Sequence, residues 1–138
     1  MRGRADFAGV WQVLRQITDR RAGQAGQFSG TATLTPHGPQ GLLYAETGQM
    51  QIGAGPVMQA TRRYLWLLDG ARVFVQFEDG RPFHHFTPLG LAAGTDHLCG
   101  ADMYRVIYDF TGWPGWTACC EVSGPRKAYR LESRYWRE

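Results

Sequence analysis

Nine polar side chains sit where a barrel filled only for stability would carry Val, Leu, Ile or Phe. They are Arg15, Glu46, Arg62, Tyr64, His84, Tyr104, Tyr108, Tyr129 and Tyr135, each in phase with apolar neighbours in a run of period-two alternation. Guanidinium, carboxylate, imidazole and phenol groups among apolar walls are what a binding cavity uses to orient a guest. Arginine grips a carboxylate with two parallel bonds while aromatic rings cover the apolar body, so the chemistry points to a small anionic ligand, partly aromatic or lipid-like. The candidate ligand-binding set is Arg15, Glu46, Arg62, Tyr64, Trp66, His84, Tyr104, Tyr108 and Tyr129. A blander reading stands beside it: tyrosines at a rim keep their hydroxyls in water, and arginines snorkel to a barrel mouth. Glu46 and Arg15 can also simply neutralise each other, since buried charges need partners in either case. The rival function is a cofactor-independent enzyme with Glu46, His84 or a tyrosine as acid or base, and no residue is assigned as catalytic.

The stretch that must position these groups runs from Arg62 to Phe86, with Asp69-Gly70 and Asp79-Gly80 between alternating apolar runs. Asp-Gly there is a strong hairpin signal. Two-residue loops place Trp66 opposite Val73, Tyr64 opposite Val75 and Arg62 opposite Phe77. Across the second turn they place Phe77 opposite Pro82, Val75 opposite His84 and Val73 opposite Phe86. One face then carries Arg62, Tyr64, Trp66 and His84. The other carries Arg63, Leu65, Leu67, Phe74 and Phe83, the contact surface of a third reading, a filled-barrel interaction module or homodimer.

The remaining elements follow in order. A short helical or irregular lead-in at Ala5 to Gly9 precedes a strand from Val10 to Thr18. Strands are expected at Phe28 to Thr35, Leu42 to Ile52, Met103 to Phe110, Trp116 to Ser123 and Lys127 to Trp136, with turns at Gly23 to Gly26 and Pro36 to Pro39. Leu89 to Thr95 reads as a connection. About nine or ten short strands and no long helix predict an all-β, antiparallel up-and-down barrel, with residues 1–138 as one domain. Gly at 18 of 138 residues supplies turns and bulges. The formal charge is +3 and the basic residues are scattered, which argues against a nucleic-acid partner. No apolar run reaches a membrane span, so no membrane partner is expected either. Three cysteines, Cys99, Cys119 and Cys120, make a disulfide framework improbable and a reducing, cytoplasmic setting the default.

Other chemistries lack their parts. His97-x-Cys99-x-x-Asp102 has metal-ligand types, but predictive zinc signatures come in paired blocks and no second block exists. It reads as a capped turn, and no metal or other cofactor is expected. Ser29, Ser123 and Ser133 lack a nucleophile-elbow context, and no phosphate-cradling loop opens a helix.

The opening Gly9-Val10-Trp11 is similar to the Gly-x-Trp of lipocalins. Together with Arg15, Ile17 and Asp19, Tyr44-x-Glu46-x-Gly48, Arg63-Tyr64-x-Trp66, Phe83-His84, His97-x-Cys99-x-x-Asp102-x-Tyr104 and Gly124-Pro125-Arg126-Lys127, it resembles an uncharacterised lipocalin-like family of the calycin group. The resemblance spans nearly the whole chain and implies a barrel without an established activity. Nitrobindins, haem barrels of the same group, open Gly-x-Trp-x-Gly-x-Gly, whereas Gln12 and Val13 follow Trp11 here. Phenolic acid decarboxylases share the architecture alone.

Overall fold

The computed structural model describes residues 2–137. A single turn of helix, α1 (Arg4–Phe7), leads into eleven antiparallel strands. These are β1 (Gly9–Asp19), β2 (Gln24–His37), β3 (Gly41–Ile52), β4 (Met58–Asp69), β5 (Arg72–Phe77), β6 (Pro82–Phe86), β7 (Leu91–Ala93), β8 (His97–Cys99), β9 (Asp102–Asp109), β10 (Trp116–Ser123) and β11 (Ala128–Trp136). They pair in the order β6-β5-β4-β3-β2-β1-β11-β10-β9-β7, with β8 also on β9. The result is the expected all-β barrel. Its last seam, between β6 and β9, is bridged by the β7–β8 segment: Gly94 N–H donates to Val106 O at 2.8 Å, and Thr95 N–H donates to His85 O at 3.1 Å. The expected connection at Leu89 to Thr95 and the expected capped turn at His97 to Asp102 therefore contain short strands that cover an otherwise open edge.

Register in the double hairpin differs from the expectation in two ways. Gly70 takes the positive φ, so the first loop is Gly70-Ala71, and Asp69 pairs with Arg72, Leu68 with Val73, Trp66 with Val75 and Tyr64 with Phe77. That is a slip of two residues, which leaves every side chain on its expected face. At the second turn Asp79 Oδ1 accepts from Arg81 N–H at 3.1 Å, and a bulge lies between Val75 and Gln76. Val75 still faces His84 and Val73 still faces Phe86, but Gln76 rather than Phe77 meets Pro82. The extra residue turns Phe83 inward, where it stacks on Phe77 at 4.9 Å, so Phe83 leaves the outer surface assigned to it.

The two barrel ends are built differently. The end holding the β1, β3 and β10 starts is packed solid around Phe7, which is fully buried and meets Trp66, Phe110, Trp113 and Trp116 edge-on. Trp11 Nε1–H donates to Phe7 O at 2.8 Å, and the Arg137 guanidinium covers the Trp11 ring at 3.8 Å. The α1 turn thus serves as a plug. Toward the other end, Gly30 and Gly48 face each other across β2 and β3. A Cβ on Gly48 would stand 2.8 Å from Phe28 Cζ and closer still to Ser29 O. Without side chains there, room is left for the Phe28 ring, which lies against the Arg15 guanidinium at 5.0 Å. Gly48→Ala should therefore cost about 1–3 kcal/mol by overpacking. Urea denaturation measures it, and an unchanged midpoint would show that Phe28 and the β2 backbone yield to the added methyl at no cost.

Candidate functional site

Strand pairing carries the polar groups to one place. Glu46 on β3 lies directly opposite Arg62 on β4, and Arg15 on β1 lies opposite Ser133 on β11. Arg15 grips Glu46 with both ends of its fork, Nη1 to Oε2 at 2.8 Å and Nη2 to Oε1 at 2.7 Å, while its Nε–H donates to Ser133 Oγ at 2.7 Å. Tyr44 O–H donates to Glu46 Oε1 at 2.6 Å. With that proton committed, Tyr135 must be the donor in the 2.8 Å contact between the Tyr44 and Tyr135 hydroxyls. Burial opposes the charge on Glu46, but the Arg15 bond, the two guanidiniums and the Tyr44 hydroxyl together hold its carboxyl below the usual range. Burial also opposes the charge on Arg15, and the Glu46 bond more than restores it.

Arg62 is placed differently. Its Nε is 3.0 Å from Glu46 Oε2, yet that N–H makes no hydrogen bond, and the side chain is 36% exposed while Glu46 is 2% exposed. Its guanidinium lies 5.4 Å from the Tyr64 ring. Two guanidiniums share one carboxylate, so this wall keeps one positive charge in excess, and Arg62 carries it to the interior.

That interior is a cavity of about 700 Å³, open at the end formed by the β5–β6 and β8–β9 turns, where Arg81, Pro82, Leu98 and Gly100 stand. Of the residues expected at a site, Arg62, Tyr64, Trp66, His84, Tyr104 and Tyr108 line it. Arg15 and Glu46 are held one layer out and bond to Tyr44, Ser133 and Tyr135, which line it. Tyr129 stands at the end of β11, half-buried and outside the lining. Tyr44, Phe77, Phe83, Trp116 and Cys120 also belong to the wall. Tyr44 is in phase with Glu46 and could have been read; Phe83 could not, because only the bulge brings it in. Cys120 faces the cavity, where burial pushes its thiol up to about 11.

His84 bonds through Nε2 to the Tyr108 hydroxyl at 2.8 Å, and its Nδ1 is buried without a partner. Burial, helped by His97 and His85, pulls its pKa from 6.5 down to about 4. It is therefore neutral at physiological pH, and the cationic imidazole that would add to an anion site is absent there. Among the described residues no three His, Cys, Asp or Glu side chains gather as a metal-ligand set. No helix is long and apolar enough to cross a membrane.

Fold and site together define a small antiparallel β-barrel whose interior cavity has a largely apolar, aromatic wall set with a few polar groups. By its sequence the chain belongs to a family of unknown function, DUF6314, whose model matches residues 7–137. No curated protein matches it. Among solved structures it is similar to the S-type phycobiliprotein lyase CPES from Guillardia theta, with TM-score 0.68, 9% identity and coverage of 98% of this chain and 90% of that one. It is also similar to a redesigned β-barrel, mFAP1, bound to DFHBI, with TM-score 0.50, 17% identity and coverage of 99% and 100%. At such identities the likeness establishes the barrel fold.

Two stability measurements test the site's electrostatics. Glu46→Gln removes the anion held by the buried Arg15 and faced by the half-buried Arg62, and should cost about 3–5 kcal/mol in chemical denaturation; a loss below about 1 kcal/mol would mean that the pair is solvated. For His84 the folded pKa lies below the unfolded one, so stability is complete above pH 6.5 and falls with acidification toward pH 4, by at most about 3 kcal/mol. His84→Phe should flatten that slope above pH 5, where carboxylates contribute little; an unchanged slope would assign the proton elsewhere.

Proposed function

We propose that this barrel, of lipocalin type, binds a small anionic and partly aromatic molecule in its interior, with Arg62 holding the acidic group. One observation carries the reading: two arginines share the single carboxylate of Glu46, so the three charges sum to plus one, and of the two it is Arg62, 36% exposed against 5% for Arg15, that lines the cavity. A guanidinium that has only a share of a carboxylate keeps attraction to spare, and a bound anion would satisfy it. Tyr44, Tyr64, Trp66, Phe77 and Phe83 offer ring surface for the body of the ligand. The volume fits a ligand of ordinary cofactor or metabolite size. That a barrel of similar fold is bound to DFHBI supports small-molecule binding at the level of fold alone. Glu46 supports binding over base catalysis, because both its oxygens are taken and its carboxyl is held ionised and weakly basic.

Losing a charge-assisted bond of about 1.5–3 kcal/mol should weaken an aryl carboxylate roughly ten- to a hundred-fold in Arg62→Ala, while Arg63→Ala, on the outer face, should leave affinity alone. Because His84 is already neutral, wild-type affinity should hold steady from pH 6 to pH 8. Calorimetric titration with naphthoate and a fatty carboxylate decides it: equal loss in the two variants, or none in Arg62→Ala, overturns the assignment.

A further inference from the structure

The polar groups of the cavity are sorted by depth. β5 ends at Phe77, which pairs with Tyr64, so Arg62 projects beyond the last β5 partner to the level of the turn that forms the mouth. Arg81 stands on that turn with its guanidinium 5.5 Å from the Phe77 ring, and Arg62 lies 5.4 Å from the ring of Tyr64. His97, 5.6 Å from Phe77, and its cross-strand partner Tyr104 belong to the same level. Among the described lining residues, the two arginines at this level carry the permanent charges, and none stands at the level of Trp66.

Deeper in, the polar atoms are already held by one another. The Tyr135 hydroxyl is bonded to that of Tyr44, which is bonded in turn to Glu46. The Tyr108 hydroxyl is bonded to His84 Nε2, and Ser133 Oγ accepts the Nε–H of Arg15. His84 Nδ1 and Trp116 Nε1 are closed off from a water-sized guest. What this depth offers is ring and aliphatic surface, with Trp66, Val75 and Trp116 in the lining. The floor beneath is shut, because the fully buried Phe7 ring lies 5.3 Å from Trp66 and 5.9 Å from Trp116. Arg62 is four residues from Trp66 on the same strand, about 13 Å at the usual strand rise and about 10 Å along a barrel axis once strand tilt is included.

A guest whose acid is held by Arg62 thus meets charge at one end and committed or apolar surface at the other. A second ionised group at its far end would be stripped of water against rings that return nothing for it. We infer that the ligand is a monoacid with an apolar far end and binds tail first, its acid at the mouth with Arg62 and the end of its body over Trp66. The depth to the Phe7 floor limits how long that body can be. This inference rests on the binding role proposed above and adds to it the orientation and chemical class of the ligand.

The test uses two rigid acids of nearly the same shape, 6-isopropyl-2-naphthoate and naphthalene-2,6-dicarboxylate, titrated calorimetrically into wild type and Arg62→Ala at pH 7. In wild type the isopropyl compound should bind at least about tenfold more tightly than the diacid, because only the diacid must bring a charge to the apolar end. Its methyl protons should show nuclear Overhauser contacts to the Trp66 ring and none to His97. Arg62→Ala should weaken the isopropyl compound about ten- to a hundred-fold. A preference below about tenfold, or methyl contacts to His97, would overturn the tail-first monoacid while Arg62-dependent binding left the binding role standing. Retention of neither acid, or binding indifferent to Arg62→Ala, would overturn both.

Discussion

The carboxylate of Glu46 is the group on which the rest of this barrel turns. It lies on β3, is gripped by Arg15 from β1, accepts a hydroxyl from Tyr44 and faces Arg62 across the β3–β4 ladder. Through Arg15 and Tyr44 the same network reaches Ser133 and Tyr135 on β11. Four strands are thus tied across the barrel by one anion. Buried ions are tolerable only when every oxygen and proton is engaged, and a partly satisfied network is worse than an apolar core. The arrangement therefore specifies register: a one-residue slip of β3 would carry Glu46 to the outside and strand two guanidiniums in the interior.

Around that network the barrel separates its two tasks by length. The plugged end packs the large rings of Phe7, Trp11, Phe110, Trp113 and Trp116 against one another, Phe7 on Trp113 and Trp11 on Trp116 edge to face. The open end keeps the cavity, and there small residues matter as much as large ones. Gly30 and Gly48 leave room for the Phe28 ring beneath Arg15, and Gly94 lies so close to His84 that a Cβ would stand 2.9 Å from its ring. Function on this scaffold sits where packing is withheld, a few residues along the same strands that supply the core.

Much of this was legible in the chain itself, because period-two alternation survives small errors in pairing. Arg62, Tyr64, Trp66 and His84 share an inner wall even though the first hairpin is two residues out of the simplest register, since a slip of two preserves faces. The partnership of Arg15 and Glu46 could be read from two charges in phase with apolar neighbours. What could not be read depended on geometry with no period. The Val75/Gln76 bulge moves Phe83 from the outside to the cavity, and the short strands at Leu91–Ala93 and His97–Cys99 form only because β9 offers an edge to cover. The neutral state of His84 was hidden as well, since nothing local marks how deeply an imidazole in a strand will be desolvated.

The setting of Arg62, a cation without a full counter-charge above a well of rings, also governs how the parts of any occupant act together. An empty cavity admits water, which screens the guanidinium and blunts its pull on an anion. An apolar body that fills the space expels that water and lowers the local dielectric, so the same ion pair grows stronger because of atoms that never touch it. Body and head group are then cooperative within a single molecule. Free energies measured for the separate fragments will not sum to that of the whole, and the shortfall will measure how completely the body seals the charge from solvent.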